Sequence, residues 1–427
     1  MNPALRDFFI KPMQFKDVIG QGEVKQQLVE MVQHNRLSHA LLFLGKEGSG
    51  ALSLAMAFAQ YVASLPQTPS DRRSFASTQE SSLFGDAAIE VEVRLPATPQ
   101  EADAFMSKQS SFSKAEAMVH PDIHYSYPVV TKKPGTPPIS TDYITEWREF
   151  VQSNAYGNIY DWLQFIGAEN KQGNITAQEC NDIMRQLNLK SFESGYKILI
   201  LWMPEYLGKE GNKLLKLIEE PPPDTLFILV AENESQVLST IVSRCQLIKI
   251  PALETGAIEK ALIQRNNCRP EQAHQVAGVS EGNYREALHL LKHADEDFHG
   301  LLREWLNATL KGQTILQVKF IEQINRLGRE TQKQFLRYFT HLLEQSIRLD
   351  SLIGESRNIF FESLAKTEQD FISRLNKTIR LEQKEAIAEE LNKATYYVER
   401  NANGKILFHA LTIKIFHIVK NNVLIST

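Results

Sequence analysis

Ser38-His39-Ala40-Leu41-Leu42-Phe43-Leu44-Gly45-Lys46-Glu47-Gly48-Ser49-Gly50-Ala51-Leu52-Ser53 is the stretch that decides the fold class. The apolar run up to Leu44 reads as a buried strand, the glycines as a tight loop, and the residues from Ala51 as a helix. Strand, glycine loop and helix together form the frame of the phosphate-binding loop G-x-x-x-x-G-K-[ST]. Gly45 and Gly50 hold its two glycine positions, with Gly48 between them, but the lysine and hydroxyl positions are Ala51 and Leu52. In an active loop the lysine brings positive charge to the β and γ phosphates, and the hydroxyl holds Mg²⁺. Alanine and leucine do neither. Lys46 lies inside the loop but starts on the wrong side of the phosphate cradle. The stretch predicts an NTPase-shaped domain that has lost its NTPase and binds no nucleotide cofactor of its own.

Composition sets the outer bounds. A chain of 427 residues corresponds to roughly two to four domains. Its 43% hydrophobic and 23% charged residues are ordinary globular values. A net charge of −4 argues against a surface devoted to wrapping nucleic acid. Cys180, Cys245 and Cys268 are widely spaced and odd in number, so no disulfide framework is implied and a reducing compartment fits. Met1 to Phe15 lacks the apolar core of a signal peptide, and Ile406 to Val419 is broken by His409, Lys414 and His417. The expectation is a soluble, cytoplasmic protein with no membrane contact.

Along the chain, Glu23 to Asn35 carries Val24, Leu28, Val29, Met31 and Val32 on one helical stripe. Polar residues then dominate from about Ser64 to Phe112. Only Ile89 to Leu95 alternates like a strand there, and the stretch reads as a mobile insertion. His120 and His124 flank Pro121, which breaks the helix that a metal-binding pair at this spacing needs, so no metal site is expected. Lys197 to Trp202 and Thr225 to Ala231 are continuous apolar runs typical of central parallel strands, and Leu247 to Ile250 is a shorter one. Helical patterns alternate with them, which predicts an α/β sheet with crossover helices. Beyond Pro251 the pattern is helical throughout. Phe335, Leu336, Phe339, Leu342, Leu343 and Ile347 form one stripe, and Ile387, Leu391, Ala394 and Val398 another, as in a helical bundle core.

Several motifs in order give a resemblance. Val18-Ile19-Gly20-Gln21, the loop from His39 to Gly45, Asn212-Lys213-Leu214-Leu215-Lys216-Leu217-Ile218-Glu219-Glu220-Pro221-Pro222, and Ser243-Arg244-Cys245-Gln246 are similar to those of the AAA+ subunits of bacterial DNA polymerase III clamp loaders, above all the delta-prime type. The resemblance covers about residues 14 to 63 and 117 to 295, and the helical tail agrees in class. It implies an α/β P-loop (AAA+) domain over residues 1–252 with a polar insertion at about 64–116. A small helical lid (253–298) and an all-α collar (299–427) would follow.

The departures from that family carry the functional expectation. Active members place Asp-Glu after the strand that here ends at Leu201, to position Mg²⁺ and ready the attacking water. This chain has Trp202 and Met203. Glu205 is then a solvated helix-start residue that suits the helix dipole. The family's four-cysteine zinc module is not expected, because residues 52 to 179 contain no cysteine. Arg244 is the candidate catalytic group: by resemblance it acts in trans on ATP held by a neighbouring subunit. A guanidinium suits this because it stays charged and its fork matches phosphate oxygens. Arg285 resembles the lid's sensor 2 arginine, and would either touch nucleotide or pair with an acidic neighbour. The implied partners are gamma- and tau-like ATPases and delta in a hetero-oligomeric ring, and indirectly the sliding clamp and primer-template DNA. Two alternatives stand beside this: an ATPase in which Lys46 and Glu205 replace the missing groups, and a AAA+-derived scaffold outside replication.

Overall fold

Successive residues of a strand point to opposite faces, so a sheet covered on both sides needs strands that are apolar throughout. In the computed structural model, which describes residues 14–65, 95–132, 135–168, 171–292, 298–364, 366–399 and 402–422, five strands form one sheet, and the inner three are buried almost throughout. The five are β1 (Ala40–Gly45), β2 (Ile123–Ser126), β3 (Lys197–Trp202), β4 (Thr225–Ala231) and β5 (Gln246–Ile250). All neighbours pair in parallel, in the order β2-β3-β4-β1-β5. This is the α/β parallel sheet with crossover helices that the sequence predicts. The strand β2 is an addition: Ile123 pairs with Ile198 and Ser126 with Leu201, although Pro121 and the polar residues beside it hide the signal.

The alternation splits the core into two layers. Leu41, Phe43, Ile198, Ile200, Trp202, Ile228 and Val230 face one cluster, and Leu42, Leu199, Leu201, Phe227 and Leu229 the other. Helix Ala51–Ala63 is buried at every position and lies in the first layer with helix Gly22–Gln33. Val24, Leu28, Val29, Met31 and Val32 are that helix's buried residues, as its stripe predicts. Each such side chain stabilises the fold by about 1.5–3 kcal/mol when fully buried.

The polar stretch differs from expectation where it is described. Residues 95–116 are not a mobile loop. Helix Pro99–Met106 is capped by Thr98 and fully buries Ala102 and Met106. Its Asp103 carboxylate accepts the backbone N–H groups of Phe15 and Lys16 at 2.8 and 2.9 Å. A buried carboxylate is costly unless bonded in this way, and one acidic residue therefore ties the segment to the chain's start. The strand expected at Ile89 to Leu95 lies, but for Leu95, outside the described residues.

Contacts divide the chain into two compact units, Met1–Glu286 and Ala287–Thr427. The first ends with helices Thr255–Asn266 and Pro270–Val279 and the opening turn of helix Tyr284–Lys292. The second is helical throughout its described residues. Its core unites Phe335, Leu336, Phe339, Leu342, Leu343, Ile387, Leu391, Ala394 and Val398. Trp305 stacks on Phe320 with centroids 5.0 Å apart and donates to Thr412 at 2.9 Å. Lys384, fully buried, reaches the Asp350 carboxylate at 2.5 Å and the Asn376 amide oxygen at 2.6 Å. Among the described residues no helix is long and apolar enough to cross a membrane.

Candidate functional site

The glycine loop leaves β1 at Gly45 and enters helix Ala51–Ala63 at Gly50. Gly48 and Gly50 have φ of +71° and +85°, a left-handed backbone suited to glycine. Both also lie where something approaches closely. A Cβ on Gly50 would stand 2.8 Å from the Tyr156 ring, and one on Gly48 would stand 1.8 Å from Asn283 Oδ1. In an active loop that approach belongs to phosphate. Here it belongs to the protein. Tyr156 is held in place by the Ile19 N–H, which donates to its hydroxyl at 2.8 Å, and by an edge contact with Tyr284 at 5.0 Å. Ala51 and Leu52, at the lysine and hydroxyl positions, are 8% and 5% exposed and join the first core layer. The cavity left between Gly45, Gly50, Tyr156, Trp202 and Glu232 is about 30 Å³, the size of a water site.

Charge at this end is arranged against an anion. Arg285 grips Asp161 through Nε (2.5 Å) and Nη2 (2.8 Å), and its Nη1 donates to Glu47 at 3.0 Å. Glu47 also accepts from Asn158 at 2.9 Å and Asn283 at 3.1 Å. The Arg285 side chain is 5% exposed. Of the two outcomes the sequence leaves open for this residue, the geometry contains the pairing with acidic neighbours. Burial, reinforced by the Glu47 and Glu205 carboxylates and opposed by Arg285, pushes the Glu232 carboxyl up to about 8. The mouth of the loop therefore gathers carboxylates.

The strand-end positions have been absorbed into the core. Trp202, 3% exposed, packs on Trp147 at 5.2 Å and Phe150 at 6.2 Å. Met203 takes φ +59° and donates its N–H to Val230 at 2.9 Å. Glu205 stands in the first turn of helix Pro204–Leu214, as expected, but it is not solvated. It is half-buried, and its Oε1 accepts the N–H groups of Glu232 (2.7 Å) and Asn233 (2.9 Å) just beyond β4. Burial raises its carboxyl, and those backbone bonds oppose the rise. Lys46 is exposed.

Arg244 follows the short helix Ser239–Val242 and precedes β5. Its Nε donates to Glu219 Oε1 at 2.5 Å, and Nη2 pairs with the same oxygen. Nη1 donates to the Thr240 carbonyl at 2.7 Å. The side chain is 34% exposed. Neighbouring Cys245 is a packed thiol, pushed up to about 11 by burial. His120 accepts the Asp122 N–H at 3.1 Å through Nδ1. Asp122 in turn accepts from Phe192, Glu193 and Ser194, so this pair of residues anchors a loop. Among the described residues no group of three or more His, Cys, Asp or Glu side chains is arranged to hold a metal ion.

Sequence reasoning does not find Glu47, Asp161 and Tyr156 as one group, because Arg285 lies 238 and 124 positions from the two acids and Ile19 lies 137 positions from Tyr156. Glu219 has a signal: it is the first glutamate of the E-E-P-P block.

Relatives of this sequence are recognisable. A family profile described as "DNA polymerase III, delta subunit" matches residues 20–81 and 77–254. The DNA polymerase III subunit delta' of Bacillus subtilis is 24% identical over 343 residues, covering 79% of this chain and 77% of that protein. The DNA polymerase III subunit gamma of Buchnera aphidicola subsp. Acyrthosiphon pisum is 26% identical over 212 residues, covering 44% of this chain and 58% of its own length. A solved DNA polymerase III gamma subunit-related protein from Thermotoga maritima aligns at 13% identity with a TM-score of 0.36, over 93% of this chain and 99% of that one. Since the profile spans residues 20 to 254 of the 427, more than half of the sequence, the chain belongs to the DNA polymerase III delta-subunit family of clamp-loader proteins.

Proposed function

We propose that this chain is a delta-prime-type subunit of a DNA polymerase III clamp loader, one that hydrolyses no ATP itself and completes the ATP site of a neighbouring gamma- or tau-like subunit with Arg244. The observation that carries this reading is the contrast in available positive charge. At the glycine loop the lysine position is a buried alanine, and Arg285 is taken up by Asp161 and Glu47. Arg244 keeps a solvent-facing guanidinium. The ATPase alternative finds little support, because Glu205 already accepts two backbone N–H groups and the cavity is the size of a water.

On this reading ATP is held by partner subunits, and the chain carries neither nucleotide nor zinc. Its partners are the gamma- or tau-like ATPases and delta, and the helical second unit supplies the collar of the ring. The ring, acting in the cytoplasm, places the sliding clamp on primer-template DNA. The isolated chain is expected to give no Mg²⁺-dependent signal with a fluorescent ATP analogue up to about 1 mM, the weak end of ordinary affinities. Micromolar binding in that titration would replace the proposal with the ATPase alternative.

A further inference from the structure

An arginine that must meet a phosphate from outside its own subunit has to present the correct edge of its guanidinium. The group has five N–H donors: one on Nε and two on each Nη. Arg244 spends its side edge, Nε and one Nη2 hydrogen, on a single oxygen of Glu219. Its Nη1 donates back to the Thr240 carbonyl at 2.7 Å and, over a longer 3.3 Å, to Ser243 Oγ. That leaves the second Nη2 hydrogen, at the end of the fork, and beside it the Nη1 hydrogen held only by the long Ser243 bond, which can give way so that the two bind phosphate oxygens in parallel.

The backbone sets where Glu219 stands. It is the last residue of helix Leu215–Glu219, and Pro221-Pro222-Pro223 prevent that helix from continuing. We propose that Glu219 is a positioning residue for Arg244. It grips the side edge of the guanidinium so that the end-on fork faces outward toward a partner's nucleotide. This rests on the trans-acting reading of Arg244. It assigns the first glutamate of the E-E-P-P block a role in a neighbour's ATP site. As a contribution to stability, a part-exposed pair of this kind is small. Its effect lies in orientation, where a misplaced group loses rate.

The experiment uses the complete loader assembled from the full chain and its cognate subunits, with clamp- and DNA-stimulated ATP hydrolysis as the readout and gel filtration as the assembly control. Glu219→Ala is expected to lower kcat about 10-fold with KM for ATP unchanged. Glu219→Gln, which keeps an acceptor at Oε1, should stay within about threefold of the normal chain. The double variant Arg244→Ala/Glu219→Ala should be no slower than Arg244→Ala alone, because Glu219 then has nothing to orient. If Arg244→Ala collapses the rate while Glu219→Ala leaves it intact, the positioning role is overturned and the trans-acting arginine stands. Fully additive losses would overturn it equally, by placing the effect of Glu219 elsewhere. An unchanged rate with Arg244→Ala would remove the underlying reading instead.

Discussion

Two arginines in the first unit show what distinguishes a structural charge from one available for chemistry. Arg285 lies at the glycine loop with its side chain 5% exposed, and three of its nitrogens are bonded to Asp161 and Glu47. Arg244 lies before β5, 34% exposed, with one carboxylate on its side edge. Two carboxylates neutralise Arg285 internally, leaving no electrostatic reason for a phosphate to enter. A single carboxylate on one edge of Arg244 leaves charge and donors directed outward. Guanidinium charge is thus enclosed at one end of the sheet and part-exposed at the other.

Arg244→Ala gives the largest expected effect. In the assembled loader it should reduce the partner's ATP hydrolysis by roughly 10³ to 10⁵, as loss of an arginine finger does in related phosphoryl-transfer systems. The isolated chain should melt almost as before, since a part-exposed pair contributes about 0–1 kcal/mol. A large fall in melting temperature with little change in rate would reverse the assignment of the two arginines.

Arg285→Ala should do the opposite. It takes the cation away from Asp161 and Glu47, and breaking a buried pair from one side costs about 3–5 kcal/mol. Urea midpoints would detect this directly. Arg285→Lys keeps the charge but not the bidentate fork, so it should recover only part of the loss. If Arg285→Ala unfolds at the normal midpoint, the acid–arginine knot is not what holds the loop to the residues around it.

Much of this contrast is legible in the sequence because both ends are marked by short motifs. Gly45 and Gly50 announce a loop, and Ala51, Leu52, Trp202 and Met203 announce what it lacks. The strands β3 and β4 are legible as unbroken apolar runs, since burial on both faces leaves little room for polar residues. What replaces the missing chemistry is not legible. Tyr156 beside Gly50, Trp202 on Trp147, and Arg285 between Asp161 and Glu47 are tertiary facts that no periodicity encodes. Asp103 is the instructive failure. In sequence it belongs to a polar run, yet it is buried because two backbone N–H groups satisfy it. Glu205 fails the same way, its partners lying 27 and 28 residues further on.

The smallest expected effect is one of pH, and it separates the two ends most finely. The Glu232 carboxyl is pushed up to about 8 from an ordinary value of 4.5, first by burial and then by Glu47 and Glu205. Below pH 4.5 both folded and unfolded chains hold the proton, so Glu232 adds no pH dependence there. Between 4.5 and 8 the unfolded chain releases the proton and the folded chain keeps it, so stability falls as pH rises. Above 8 the folded chain carries a further carboxylate in the acidic mouth of the loop, and the loss is complete. Glu232→Gln keeps the shape and stays neutral throughout. It should match the normal chain at pH 4 and exceed it by about 1–2 kcal/mol at pH 9, the linkage effect discounted for partial solvent access. Urea midpoints at pH 4, 7 and 9 test this. The same downward slope in the variant would mean that the gathered carboxylates do not penalise negative charge. The glycine loop would then have no electrostatic bar against phosphate, and its closure would rest on Tyr156 and Asn283 filling the space.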